Sequence, residues 1–311
     1  MTRAFVFPGQ ASQQVGMGQA LADAFPIARQ VFEEVDDTLD QRLSKLMFEG
    51  PENDLILTEN AQPAIMAVSV AAFRVLKEEA GINLPDVARF VAGHSLGEYS
   101  ALAAAGTFSL ADAARLLKTR GVAMQKAVPV GEGAMAALLG IELEEACAVA
   151  AEAGGTCVVA NDNAPGQIVV SGTADAVERA VKIAAGRGGK RSILLPVSAP
   201  FHCPLMAPAA DTMAEALADV VMSPPCVPLI ANVTASPVEG PDEIRRLLIE
   251  QVTARVRWRE SVLRMKEEGI ETLVEIGAGK VLSGMIRRID RDLKGMTVGT
   301  PEEIDAFVKT V

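Results

Sequence analysis

Val87-Ala88-Arg89-Phe90-Val91-Ala92 runs directly into Gly93-His94-Ser95-Leu96-Gly97, and the alanine- and leucine-rich stretch 96–105 follows. A short apolar run, a tight Gly-x-Ser-x-Gly turn and a helix-like segment together form the strand, turn and helix of a nucleophile elbow. Ser95 is therefore the leading candidate nucleophile. Glycine is required at 93 and 97 because a Cβ at either position would meet the crossing strand or helix. The competing structural reading makes Ser95 an ordinary helix cap, with Glu98 as its capping-box partner three residues on.

A serine hydroxyl needs a base to take its proton, and histidine is the usual one. The chain has only two histidines. Side chains of adjacent residues at an elbow diverge, so the ring of His94 is expected to point away from the Ser95 hydroxyl. That leaves His202 as the base. It lies in Pro196-Val197-Ser198-Ala199-Pro200-Phe201-His202-Cys203-Pro204, where prolines bar regular helix and central strand. No carboxylate near His202 announces itself as a third member. Asp211 is the nearest downstream and falls in a separate helical run, so a backbone carbonyl is an open alternative for the orienting group.

Half of the residues are apolar and 22% are charged, enough to bury one substantial core or two unequal ones. The first eight residues carry one basic residue and an apolar stretch too short for a signal peptide, and no apolar run reaches the roughly 18 residues of a membrane span. Four cysteines, Cys147, Cys157, Cys203 and Cys226, lack metal-ligand spacing, so no metal is expected and a reducing cytoplasm is the natural compartment. A net charge of −11 argues against nucleic acid and anionic membrane as partners. The glycines around 277–279 lack the residues that would complete a dinucleotide or triphosphate motif.

The organisation changes near Pro129. Residues 134–139, 156–160, 167–171 and 192–197 read as strands and 143–153 and 174–185 as helices, a β-α-β-β-α-β unit of ferredoxin-like type. Around it, short strands at 5–7, 90–92, 227–233 and 272–276 alternate with helices, which implies a mostly parallel sheet covered by helices. The expected fold is α/β: an α/β-hydrolase-like catalytic domain over 1–128 and 198–311, with its chain order of serine then histidine, and an inserted ferredoxin-like small domain over 129–197. Nucleophile and base would meet in a cleft between them.

In the predicted helix 110–124, Leu110, Ala113, Leu117, Arg120 and Met124 share one face, which places a guanidinium in an apolar stripe. Such a group needs an anion. Pattern alone favours an internal salt bridge; a substrate carboxylate is the alternative.

The chain resembles the malonyl-CoA:acyl-carrier-protein transacylases of type II fatty acid synthase systems. The resemblance is carried by Phe7-Pro8-Gly9-Gln10-Ala11-Ser12-Gln13, the elbow from Gly93 to Leu102, Arg120, Asn163-Ala164-Pro165-Gly166-Gln167, Ser198-Ala199-Pro200-Phe201-His202, Gln251, and Glu275 through Leu282. It covers nearly the whole chain. One departure is Ala11, where the family usually has glycine. The resemblance implies an acyl-serine enzyme with ping-pong kinetics, in which malonyl moves from malonyl-CoA through Ser95 to the phosphopantetheine thiol of acyl carrier protein. No cofactor is implied beyond that partner's own group. It makes Arg120 the holder of the malonyl carboxylate and Gln251 a support for His202. The backbone N–H of Gln10 becomes an oxyanion donor beside that of Leu96, which elbow geometry already provides. Gln62 and Asn163 become candidates for the acyl pocket and the pantetheine path. A bulky Phe201 beside His202 suits malonyl better than a branched acyl chain. A serine esterase or thioesterase would share the serine and histidine and differ only in admitting water. Acidic carrier protein and polyanionic CoA must approach against the overall field, and Arg187, Lys190 and Arg191 or Arg287, Arg288 and Arg291 could form the basic surface this needs; taken singly, either cluster reads equally as solvated charge.

Overall fold

The computed structural model describes residues 2–197 and 199–311. Met1 and Ser198 lie outside the described residues, and with them the Ser198 part of the sequence match and the domain boundary expected there.

Among the described residues ten strands form two sheets. Those of the larger sheet are β1 (Arg3–Phe7), β2 (Phe90–Gly93), β7 (Leu229–Ile230), β8 (Pro237–Val238), β9 (Thr272–Ile276) and β10 (Lys294–Val298), in the order β10-β9-β1-β2-β7-β8. All neighbouring pairs are parallel except β7 with β8. Strand side chains alternate between faces, and the burial follows that period. Phe5, Phe7 and Val91 enter the core on one face, while Ala4, Val6, Phe90 and Ala92 join Trp258 and Leu273 in a second core on the other. Both faces of the sheet are thus covered.

The second sheet contains β3 (Gly133–Leu139), β4 (Cys157–Ala164), β5 (Gln167–Thr173) and β6 (Arg191–Leu194), antiparallel in the order β4-β5-β3-β6. Helices Leu143–Ala153 and Ala174–Gly186 pack on it around a third core that includes Leu138, Val149, Ile168, Val170 and Val177. The chain order is β-α-β-β-α-β, as expected from the sequence. This sheet is joined to the rest where Val256 N–H donates to Ala160 O at 2.8 Å and Asp162 N–H to Val256 O at 3.0 Å. Arg259 adds an ion pair to the fully buried Asp162 at 2.9 Å.

Several expected boundaries move. The strand expected over 227–233 shrinks to Leu229–Ile230, because the chain turns at Ala231, whose carbonyl accepts from Ala235 N–H. The strand expected over 192–197 becomes Arg191–Leu194. Strands β8 and β10 went unanticipated: the first is two residues long and starts with proline, and the second begins with Lys-Gly, a weak β signal.

Candidate active site

Strands β1 and β2 pair in register at Phe7 with Gly93, so the loops that follow them leave the sheet side by side. His94 N–H continues the ladder to Phe7 O at 3.0 Å. At that carboxyl edge the chain reverses sharply into helix Gly97–Ala104, and Ser95 takes a left-handed φ of 53°. A Cβ at 93 would lie 1.9 Å from the carbonyl carbon of Gly97, and one at 97 would lie 2.3 Å from Phe7 O. Only glycine fits either place. Ser95 does not cap the helix: Leu96 holds the cap position, and no side chain bonds there.

The hydroxyl of Ser95 lies 2.8 Å from His202 Nε2. His202 Nδ1 lies 2.9 Å from the backbone carbonyl of Gln251, an oxygen that can only accept, so the proton sits on Nδ1 and Nε2 is free to take the serine proton. The orienting group is thus a backbone carbonyl. His202 itself has a left-handed φ of 56°, so both members of the pair are held in a backbone conformation that L side chains rarely adopt. Burial, reinforced by the nearby positive charge of Arg120, lowers the pKa of His202 to about 3. Its neutral, basic form therefore persists far below neutrality. The ring of His94 turns away, as expected, and its Nε2 donates to Asn163 Oδ1 at 2.8 Å.

Arg120 projects from helix Leu110–Ala127 and is 1% exposed. Among the described residues no carboxylate forms an ion pair with it, so the salt bridge favoured by pattern alone is absent. Its Nη1 donates to Gln62 Oε1 at 2.7 Å, and Nη2 donates to Gln251 Oε1 at 3.0 Å and to the Ser95 hydroxyl at 3.1 Å. Its Nε has no partner. A buried cation with an unused N–H, aimed at a nucleophile, is suited to an incoming anion.

Gln62 completes its own bonding with a donation to Met124 Sδ at 3.7 Å. Gln10 anchors its side chain on Thr58 Oγ1 at 3.1 Å. Among the described residues, the backbone N–H groups of Gln10 and Leu96 donate to no protein acceptor, which leaves both available to an oxyanion. Asn163 meets the site through its bond to His94. Ala11, the departure from the family pattern, has φ 83°, and its N–H donates to Gln13 Oε1 at 2.8 Å.

Two residues were missed. Asn232 Oδ1 accepts from Ser95 N–H at 2.8 Å, and Glu98 accepts from both Asn232 N–H and Gln251 Nε2. The signal for Asn232 lay in its place just past a short strand beside β2, since open parallel sheets build sites at strand carboxyl ends. Glu98 gave no signal beyond that of a capping-box partner in the first turn of its helix.

Residues 4–300 match the acyl transferase domain family. The chain belongs to that family. Relatives of this acyl transferase include the malonyl CoA-acyl carrier protein transacylase of Bacillus subtilis strain 168, 47% identical over 99% of this chain and 96% of that protein. Among solved structures, the acyl-carrier-protein-S-malonyltransferase of Bartonella henselae superposes with a TM-score of 0.96 at 57% identity, covering 100% of this chain and 99% of that one. A malonyl-transacylase solved in complex with a type II PKS acyl-carrier protein also matches, with a TM-score of 0.96, 40% identity and full coverage of both chains. Each match spans nearly the whole of both chains.

Proposed function

We propose that this acyl transferase moves malonyl from malonyl-CoA to the phosphopantetheine thiol of acyl carrier protein, serving fatty acid or polyketide synthesis. In the first half-reaction the Ser95 hydroxyl gives its proton to His202 Nε2 and its oxygen attacks the thioester carbonyl. The charge that develops on the carbonyl oxygen meets the N–H groups of Leu96 and Gln10. Collapse breaks the C–S bond, and CoA leaves as a thiol with the proton held by His202, so malonyl remains as an ester on Ser95. In the second half-reaction the pantetheine thiol gives its proton to His202 and its sulfur attacks that ester. Serine regains the proton and the malonyl thioester departs on the carrier.

The observation that carries this reading is Arg120: a buried guanidinium bonded to the nucleophile's oxygen at 3.1 Å and, among the described residues, to no carboxylate. An acyl group bearing its own carboxylate supplies the missing anion, with Gln62 holding the other arm of the fork. Gln251 supports His202 through its carbonyl, and Asn163 acts on the pantetheine path through His94. No cofactor enters the chemistry. The architecture is read as an α/β-hydrolase-like domain, 1–128 and 198–311, carrying a ferredoxin-like insertion, 129–197. Among the described residues no helix is long and apolar enough to cross a membrane, in keeping with a cytoplasmic enzyme.

Incubation with malonyl-CoA alone, followed by mass measurement, tests the reading. A stable malonyl adduct on Ser95 that is discharged by holo acyl carrier protein is expected. Rapid release of malonate would make the protein a hydrolase, and absence of any adduct would refute both.

A further inference from the structure

Glu98 is a buried carboxyl that the reaction above leaves without a task. It lies in the first turn of helix Gly97–Ala104 and is 1% exposed. Its Oε1 accepts from the backbone N–H of Asn232 and its Oε2 from Gln251 Nε2. Those two partners hold the nucleophile's backbone. Asn232 bonds Ser95 N–H at 2.8 Å and Gly93 O at 2.7 Å, and Gln251 Nε2 also donates to Ser95 O at 3.0 Å. The other end of the Gln251 amide, Oε1, accepts from Arg120 at 3.0 Å.

A glutamine amide has one donating and one accepting end. Because Glu98 takes the donor, only the oxygen is left to face Arg120. We propose that Glu98 is a positioning residue for acyl selectivity: it fixes the orientation of the Gln251 amide and thereby aims the Arg120 guanidinium at the carboxylate of an acyl group on Ser95. This rests on the function proposed above.

Both oxygens of Glu98 face donors, the pattern of an ionised carboxylate; a protonated one would set its O–H against an N–H. Burial pushes its pKa up to about 8 against the pull of the Asn232 and Gln251 bonds and the charge of Arg120, a net rise that favours the acid near neutrality; the two facing donors and the neighbouring guanidinium carry the case for the carboxylate. A direct Arg120–Glu98 salt bridge would occupy the fork that a substrate carboxylate needs. With an amide between them, the buried guanidinium has a countercharge nearby and keeps N–H groups free.

Glu98→Gln is nearly isosteric and places an NH2 where one oxygen was. The Asn232 N–H belongs to the backbone and cannot turn, so the new NH2 faces Gln251, whose amide flips and presents a donor to Arg120. The expected result is a fall in kcat/KM for malonyl-CoA of roughly 10- to 100-fold, with acetyl-CoA acylation much less changed, so the malonyl:acetyl ratio drops by about tenfold or more. Gln251→Met removes the amide through which Glu98 acts, so the double variant Glu98→Gln/Gln251→Met should show the same malonyl:acetyl ratio as Gln251→Met alone, within about threefold, whatever its absolute rate. A folded Glu98→Gln protein with the wild-type ratio overturns the proposal. So does a double variant whose ratio departs about tenfold or more from that of Gln251→Met, which decides the matter even where Glu98→Gln alone does not fold. Wild-type protein run in the same assay separates the two hypotheses: if it forms no malonyl-Ser95, the proposed function fails first.

Discussion

Arg120→Ala separates substrate recognition from the rest of the chemistry. In the free protein the guanidinium spends Nη1 on Gln62 and Nη2 on Gln251 and the Ser95 hydroxyl, while Nε is unused. The malonyl carboxylate lies only two carbons beyond the ester carbonyl, within reach of a group that stands 3.1 Å from the serine oxygen. Charge-assisted hydrogen bonds are worth about 1.5–3 kcal/mol each, so losing a two-bond grip costs about 3 kcal/mol or more, roughly a hundredfold or more in kcat/KM for malonyl-CoA. Acetyl-CoA has no carboxylate to lose, so its acylation should hold within about tenfold or rise.

Truncation also strips the donor from two buried amide oxygens, on Gln62 and Gln251, at about 1–3 kcal/mol each, so the melting temperature should fall and must be measured alongside activity. Arg120→Lys should regain part of the malonyl rate, because an ammonium offers charge without the planar fork. The assay is the rate of Ser95 acylation by the two thioesters, followed by intact mass. Equal losses for malonyl and acetyl in a folded Arg120→Ala protein would make Arg120 a structural post and refute its role in recognition.

Ser95→Ala should form no adduct, and His202→Ala should slow acylation by about 10²- to 10⁴-fold with little loss of secondary structure; a normal adduct in Ser95→Ala would displace the nucleophile elsewhere. With the pKa of His202 lowered by burial to about 3, acylation should stay nearly flat from pH 8 to about 5.5, and a midpoint near the ordinary 6.5 would contradict the buried base. The same shift acts on stability: below 6.5 the unfolded chain binds a proton that folded His202 refuses until about pH 3, so this contribution is full above 6.5 and is lost across that window as pH falls, measurable by denaturant titration at several pH values. Gly97→Ala should destabilise by about 2 kcal/mol or more or prevent folding, since its Cβ would sit 2.3 Å from Phe7 O; a variant that melts like wild type would mean the elbow can relax. Arg187 is held by Glu145 and Glu152 and Arg288 by Gln167, which leaves Lys190, Arg191, Arg287 and Arg291 for carrier docking. Reversing the charges of Arg287 and Arg291, or of Lys190 and Arg191, should slow transfer to carrier protein and flatten its salt dependence while sparing transfer to free pantetheine, and if neither pair does so docking lies elsewhere.

What could be read from sequence was whatever a local pattern determines. Gly93 and Gly97 around Ser95 specify the elbow because its clashes fall within a few residues of the turn and on the neighbouring strand β1. The small sheet was legible because strands and helices there alternate cleanly, each with its own period. The arginine on the apolar face of helix Leu110–Ala127 was flagged as needing an anion, yet its partners come from chain positions 62, 95 and 251, and no periodicity connects those. Nor could the sequence choose between a carboxylate and a carbonyl for His202.

Glu98 marks the limit most clearly. Three residues after a serine at the head of a helix, its local meaning is that of a capping partner, and helix propensity offers nothing more. Its contacts with Asn232 and Gln251 span 134 and 153 residues of chain, and they exist only because β7 lies beside β2 and helix Pro241–Gln251 returns its last residue to the elbow. A residue can be typed by its neighbours in sequence only when its partners are also its neighbours. Where the insertion of a whole sheet separates nucleophile from base, the groups that aim the site are fixed by topology. They become visible only when buried donors and acceptors are matched one against another, and that matching is what turns an unremarkable acid into a candidate for control of acyl choice.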